Sequence, residues 1–145
     1  MTTSPAPLRA LIDSNVIIDW LFDRKPWSDE ARPLWRAQRD GLLIGCIPAS
    51  AVTDLFYIAR RLKDIPSAFA SIDRVFASLE ILPVDDVILH AARSLSGNGF
   101  EDNVQIACAQ AASLDLIVTR NTGDFAHASL PAIEPPAIIH HLLRP

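Results

Sequence analysis

Three aspartates occupy positions from which their carboxylates could meet, namely Asp13, Asp102 and Asp124. Asp13 follows directly on the short apolar run of residues 8–12, and Asp124 comes soon after a second predicted strand, residues 114–119. Asp102 opens an alanine-rich segment with helical spacing. Parallel α/β sheets bind ligands beyond the carboxyl ends of their strands, so we expect these three acids at one edge of a sheet.

A fourth acid, Asp54, lies near the start of another predicted helix and can approach the same edge from an early helical turn. Several carboxylates cannot share a small volume without strong repulsion, so such a cluster requires a cation. Mg²⁺ and Mn²⁺ prefer these hard oxygen ligands and accept phosphate oxygens as well. Because such an ion activates water and stabilises charge on phosphate, the pattern predicts metal-dependent phosphoester hydrolysis.

These acids could also have structural roles or support a different chemistry. The chain has 17 acidic residues, and Asp often caps helices or forms turns. For each Asp taken singly, a structural role is the favoured interpretation. Asp102, for example, could be an ordinary acid at a helix N-terminus. A phosphatase or phosphoacceptor domain would also use clustered acids, but a phosphoacceptor needs a Lys after a late strand, and the only lysines are Lys25 and Lys63.

The elements that must position the acids alternate along the chain. Apolar runs predict strands at residues 8–12, 42–47, 82–84 and 114–119. The segments between these runs carry apolar residues at helical spacing, and the Pro-rich residues 130–136 predict an irregular cover. This alternation favours an α/β fold, a three-layer sandwich with a mainly parallel central sheet flanked by helices.

Size and composition predict one domain over residues 1–145, with residues 1–7 as a flexible leader. This leader lacks the basic start and apolar run of a signal peptide, and no apolar stretch approaches membrane-spanning length, so we expect a cytoplasmic protein without a membrane partner. Cys46 and Cys108 have no zinc-site spacing and are expected in the core. We also expect Trp20 and Trp35 to pack in the core, and Trp27 to be the most exposed tryptophan.

The formal net charge of −4 argues against general attraction to nucleic acid. Binding of RNA would therefore depend on local features. Bound divalent cations would offset the clustered carboxylates, and Arg60, Arg61, Arg93 and Arg120 could gather near a groove and contact phosphates.

The chain resembles the PIN-domain family in three strings: LIDSNV at residues 11–16, EDNVQIA at 101–107 and VTRNTGDF at 118–125. A fourth string, ASAVTDLFY at residues 49–57, falls where the family places its second acid. The similarity keeps its order over nearly the whole chain. The agreement in order and spacing is more specific than any one string.

The resemblance implies residue roles. Asp13 matches the first-strand acid that contacts metal, and Asn15 matches a polar residue that orients it. Asp102 matches the central metal-binding acid. Asp54 stands where many toxin members have Glu, and its shorter side chain implies action through water.

The last part of the site has two alternatives under the resemblance, because relatives place an acid at the position of either Asn121 or Asp124. We favour Asp124 as a catalytic and metal-binding residue, with Asn121 in support. Glu101 is a further supporting acid, and Thr119 could donate a hydrogen bond to a carboxylate or phosphate. Arg120 could bind RNA or form a salt bridge within the protein.

The resemblance further implies Mg²⁺ or Mn²⁺ as the cofactor and an endoribonuclease that acts on single-stranded RNA. Bacterial members are often VapC-like toxins that form homodimers and are inhibited by a small antitoxin protein, which predicts these partners here. The alternative function is a catalytically weak PIN fold that serves as an RNA-binding or protein-interaction module.

Overall fold

The computed structural model describes residues 6–142. Within this range the strands are β1 Leu8–Ile12, β2 Leu43–Pro48, β3 Glu80–Leu82, β4 Leu116–Val118 and β5 Ala132–Ile133. The α-helices are α1 Ser14–Leu21, α2 Trp27–Glu30, α3 Arg32–Arg39, α4 Ala49–Leu62, α5 Ile65–Ser78, α6 Asp86–Arg93, α7 Phe100–Ala111 and α8 Ile138–Leu142. Two 3-10 helices span Thr122–Phe125 and Pro135–Ala137. Apart from Ala6 and Pro7, the predicted leader lies outside the described residues.

The five strands form one sheet in the order β3-β2-β1-β4-β5, and every pairing is parallel. Ala10 in the central strand lies opposite Gly45 of β2 on one side and Leu116 of β4 on the other. The predicted α/β fold with a parallel sheet is confirmed. Because all strands point the same way, their carboxyl ends share one edge.

Successive residues of β1 point into two different cores, as the alternation of side chains in a strand requires. Ile12 belongs to the cluster covered by α1, α3, α4 and α5, whereas Leu11 belongs to the cluster covered by α6 and α7. Helices on both faces of the sheet make the predicted three layers. Cys46 and Cys108 are buried free thiols, as expected.

Local signals in the sequence start and stop the helices. The Asp64 carboxylate accepts a hydrogen bond from the Ser67 backbone N–H at the start of α5, and Asp85 does the same for Ile88 in α6. Gly41 follows α3 with a φ of 76°, a conformation that glycine adopts without steric cost. These caps fix where the polypeptide turns back toward the sheet.

Strands β2, β3 and β4 have other bounds than the prediction gave, and β5 was not predicted as a strand. The third strand runs over residues 80–82 and not 82–84, because Pro83 has no backbone N–H to extend the pairing. The Pro-rich segment, predicted as an irregular cover, contains edge strand β5. Its backbone accepts hydrogen bonds at Pro131 and Ile133 from Ile117 and Thr119, and acceptance does not require a proline N–H.

Among the helices described for residues 6–142, none has both the length and the apolar character needed to cross a membrane.

Candidate metal centre

Asp13 lies where β1 ends, at the carboxyl edge of the sheet, and only 7% of its surface is exposed. Its backbone N–H donates to the Val118 carbonyl oxygen at 2.9 Å, so both central strands hold its position. Asp13 also precedes α1, but its side chain accepts no hydrogen bond from the helix N-terminus. The capping explanation therefore does not account for this buried carboxylate.

Two buried polar side chains contact Asp13. The Thr119 hydroxyl donates to Asp13 Oδ2 at 2.8 Å and accepts from the Asn121 backbone N–H at 3.0 Å. Gln105 approaches the other carboxylate oxygen with its Nε2 at a longer 3.5 Å. Its Oε1 is buried and has no hydrogen-bond partner among the described residues. One orientation of Asp13 is therefore fixed mainly by Thr119.

Asp102 lies in the first turn of α7, and the charges of other acids affect the pKa of its carboxyl group. Burial raises the pKa of its carboxyl group, and the charges of Asp13, Asp124 and Glu101 raise it further. His127 has a smaller, opposite effect on this pKa. Asp13 and Asp124 therefore both act electrostatically on Asp102.

Asp124 lies on the 3-10 helix that follows β4, and Phe125 anchors this helix in the core. The Asp124 backbone N–H donates to the Asn121 carbonyl oxygen, while the side chains of both residues are exposed. Thr119 connects this segment to Asp13 through its hydrogen bond to the Asn121 backbone. The turn therefore carries both alternative fourth residues beside the buried aspartate.

The structure does not connect Asp54 or Asn15 to the buried centre. Asp54 is exposed on α4, and its charge is not among those that shift the pKa of Asp102. Asn15 is exposed in the first turn of α1. Neither side chain forms a hydrogen bond to Asp13 or Asp102 within residues 6–142.

Arg120 is held within the protein. Its Nε lies 2.9 Å from Oδ2 of the buried Asp19, and its guanidinium carbon lies 4.2 Å from the centroid of the Trp27 ring. Arg24 pairs with the same Asp19 carboxylate. Of the two alternatives for Arg120, the internal salt bridge is present, and the exposed Trp27 packs against it.

Sequence reasoning missed a polar cluster beside Asp102. The buried Asn103 donates from Nδ2 to the Gly97 carbonyl oxygen at 2.9 Å, and its Oδ1 lies 2.8 Å from His127 Nε2. This contact fixes the position of the His127 ring, one of the groups that affect the pKa of Asp102. The signal in the sequence was that Asn103 and Gln105 alternate with the apolar residues Val104 and Ile106, because amides buried among apolar residues need partners.

The donor set suits a hydrated divalent cation. Among residues 6–142, no three His, Cys, Asp or Glu side chains form a group that could hold an ion by themselves. Mg²⁺ usually binds through one or two carboxylates and completes its shell with waters and substrate phosphates. Such an ion fits this edge for three reasons. The donors are hard oxygens, and the charges of neighbouring acids raise the pKa of Asp102. The buried Gln105 oxygen has no hydrogen-bond partner in residues 6–142.

The comparison with protein families gives a match to the PIN domain over residues 9–123. No curated protein sequence matches the chain.

Solved structures share the fold. The DNA-bound VapBC of Salmonella typhimurium superposes with a TM-score of 0.70 at 18% identity, covering 88% of this chain and 98% of that chain. A toxin-antitoxin complex from Klebsiella pneumoniae gives 0.63 at 23% identity, covering 87% and 97%. Mycobacterium tuberculosis VapC20, a Sarcin-Ricin loop cleaving toxin, gives 0.61 at 11% identity, covering 74% and 86%. At these identities, the likeness concerns the fold.

Proposed function

This chain belongs to the PIN domain family, and from that premise we propose that it is a metal-dependent endoribonuclease that hydrolyses RNA phosphodiester bonds. The observation that carries the proposal is the placement of Asp13 at the end of β1, Asp102 in the first turn of α7 and Asp124 on the turn after β4, together with the rise in the pKa of Asp102 that burial and the charges of Asp13 and Asp124 cause. Such repulsion destabilises the metal-free fold, and a bound cation would reverse it. VapC20, which shares the fold, is a toxin that cleaves the sarcin-ricin loop.

In this proposal Asp13, Asp102 and Asp124 hold Mg²⁺ or Mn²⁺. When bound, the ion supplies activation of water and neutralisation of phosphate charge. Thr119 orients Asp13 through its 2.8 Å hydrogen bond, and Gln105 limits rotation of the same carboxylate from the other side. Fixed ligand orientation matters because ligands that are not held by further hydrogen bonds bind metals less well.

Three exposed side chains have supporting roles in the proposal. Glu101 adds negative charge beside Asp102, while Asn15 and Asn121 offer amide groups to water or substrate near the sheet edge. These roles require no direct contact with the buried Asp13 carboxylate.

Asp54 would act through water, because its exposed carboxylate makes no contact with the buried acids. Asp54→Asn should therefore reduce cleavage less than Asp102→Asn does. Asp54→Glu, whose carboxylate extends one methylene further, should retain cleavage. If Asp54→Asn instead removes cleavage as completely as Asp102→Asn, Asp54 is a direct participant.

We further propose that the protein is the toxin of a toxin-antitoxin pair that works in the cytoplasm, forms a homodimer and binds a small antitoxin protein. Several structural neighbours are such complexes. The surface of α4 and α5 also exposes the large apolar side chains of Tyr57, Phe69 and Phe76. Exposed apolar patches are common at protein interfaces. Size-exclusion chromatography with light scattering would test the homodimer.

The decisive experiment compares three proteins on a mixed RNA pool, each with Mg²⁺, with Mn²⁺ and with EDTA. These proteins are the wild type, Asp102→Asn and a control, Asp73→Asn, which makes the same charge change at an exposed position of α5. The proposal expects metal-dependent cleavage by the wild type and the control, and none by Asp102→Asn. Calorimetric titration with Mn²⁺ should show the same pattern.

The absence of a three-ligand group in residues 6–142 favours one second candidate, a catalytically weak module that binds RNA or protein. Under that alternative, wild type and Asp102→Asn would bind RNA equally, and neither would cleave it. Equal cleavage by both proteins would instead indicate a contaminating nuclease and would contradict the proposed site.

A further inference from the structure

A cleft of about 660 Å³ lies between α1, α3 and the end of α5. Its walls include Trp20, Trp35 and Ser78, and none of the acids of the candidate metal centre lines it. This cleft is therefore a separate feature of the surface. We refer to it below as the α3 cleft.

One wall of the α3 cleft is a row of three arginines. Arg32, Arg36 and Arg39 are spaced by four and three residues, which places them on one side of the helix. Arg32 is paired with Asp29 at 2.6 Å, and the nearest carboxylate to Arg39 is that of Asp40, at 3.8 Å. In the described part of the chain, Arg36 forms no ion pair. Two of the three guanidinium groups can therefore take an external anion.

The second wall is aromatic. Trp20 and Trp35 stack with their ring centroids 4.6 Å apart, and the Arg74 guanidinium lies 4.5 Å from the Trp20 ring. The indole Nε1–H of Trp35 is buried and has no hydrogen-bond partner in residues 6–142. The second wall therefore presents two stacked indole rings to the cleft.

The remaining polar groups of the cleft include two acceptors, the Asp23 carboxylate and the Ser28 hydroxyl. The Gln38 side chain is already committed, since its Oε1 accepts from the Gly45 N–H and its Nε2 donates to the Ser78 carbonyl oxygen. The Asp23 carboxylate lies 3.1 Å from Lys25, which offsets its charge. The α3 cleft thus offers mainly donors and positive charge.

We propose that the α3 cleft binds the phosphate backbone of an RNA strand at a site separate from the candidate metal centre. A phosphodiester presents only acceptors and negative charge, which matches a donor-rich wall of arginines. A peptide would present N–H donors as well, for which this cleft offers few acceptors. The proposal rests on the proposed function only in its choice of RNA as ligand.

The test measures RNA binding in the absence of cleavage. A short fluorescein-labelled single-stranded RNA is titrated with Asp102→Asn protein in EDTA, and anisotropy is followed at several salt concentrations. The titration is repeated with Asp102→Asn protein that also carries Arg36→Gln and Arg39→Gln. Both positions are exposed, and glutamine keeps the start of the aliphatic side chain. The matched control adds Arg60→Gln with Arg61→Gln, exposed at the end of α4.

Loss of the two cleft arginines should weaken binding about tenfold, and lower the slope of log affinity against log salt by about 1.4, which corresponds to two phosphate contacts on a single strand. The control pair should change neither quantity appreciably. Equal weakening by both pairs would show a general charge effect and would overturn the proposal, as would unchanged binding by the cleft variant.

Tryptophan emission gives a second readout. In a Trp27→Phe background the two remaining indoles, Trp20 and Trp35, both line the cleft. RNA should change their emission at lower concentration than inorganic phosphate or a nucleoside monophosphate does, since a strand makes several contacts. Polyglutamate that binds as tightly as RNA would overturn the choice of ligand.

The two proposals can fail separately. Cleavage by the wild type together with normal RNA binding by the cleft variant would keep the nuclease and refute the α3 cleft. Lost RNA binding in the cleft variant, with no metal-dependent cleavage by the wild type, would keep the cleft and refute the nuclease.

Discussion

The hydrogen bond from Thr119 to Asp13 is the contact that most directly links the stability of the sheet edge to the candidate site. Both partners are buried, with 0% and 7% of their surface exposed, and the donor–acceptor distance is 2.8 Å. Thr119→Val keeps the volume of the side chain but removes its hydroxyl. The charged oxygen of Asp13 would then lack a close donor, because Gln105 lies at 3.5 Å.

A buried charged acceptor that loses its partner costs about 3 kcal/mol of unfolding free energy, which is roughly a 150-fold change in the unfolding equilibrium. The Asn121 N–H also loses its acceptor, but Asn121 is exposed and water can replace it. The control Thr119→Ser keeps the hydroxyl and removes one methyl group, which costs about 1 kcal/mol. The two variants should therefore differ by about 2 kcal/mol.

Urea unfolding in EDTA at neutral pH measures the unfolding free energy of both Thr119 variants. Repeating the measurement in an Asp13→Asn background separates the contribution of the hydrogen bond to the charged carboxylate. With a neutral acceptor, Thr119→Val should cost only about 1 kcal/mol. Metal-dependent cleavage should fall for Thr119→Val and persist for Thr119→Ser. The reasoning is refuted if Val and Ser destabilise the protein equally, or if the cost of Val is the same with Asp and with Asn at position 13.

Three more predictions concern Asp102, Gly97 and the two cysteines. The pKa of Asp102 is raised in the folded state, so its charge at neutral pH opposes folding, and Asp102→Asn should raise the free energy of unfolding in EDTA, measured with urea. A decrease in that free energy would contradict the inferred repulsion. Gly97→Ala would push a methyl group into the His127 ring, so its unfolding free energy should fall by about 2 kcal/mol; unchanged thermal unfolding would contradict this close packing. Burial raises the pKa of Cys46 and Cys108 to about 11, so at pH 8 only about 0.1% of each thiol is ionised, and mass spectrometry should detect iodoacetamide labelling only after unfolding.

The sheet was predictable because its central strands are short, mainly apolar runs, interrupted in β1 only by Arg9, whose burial leaves little choice of structure. Edge strand β5 was not predictable in the same way. It has two residues, Ala132 and Ile133, beside prolines that normally indicate a loop. Its pairing depends on backbone carbonyls that accept from β4, and carbonyl acceptance leaves no signature in side-chain pattern.

Some residues of the candidate site were predictable from the sequence and others were not, for similar physical reasons. Asp13 could be placed from sequence because a polar residue directly after a buried strand must emerge at the carboxyl edge. The role of Asn103 could not, since its contacts reach Gly97 and His127 through the tertiary fold. Asp19 was also missed, and only the structure shows that two arginines share this buried carboxylate.

Electrostatics links the two proposed sites. In the metal-free protein the acid edge repels phosphate, and the chain as a whole carries a formal charge of −4. One bound divalent ion would halve that net charge without reversing it, so the metal alone gives RNA no long-range attraction. The arginine row of the α3 cleft supplies local attraction that does not depend on metal. RNA binding at the cleft should consequently persist in EDTA and weaken with salt, whereas cleavage should require the ion, so the two properties can be separated in one protein.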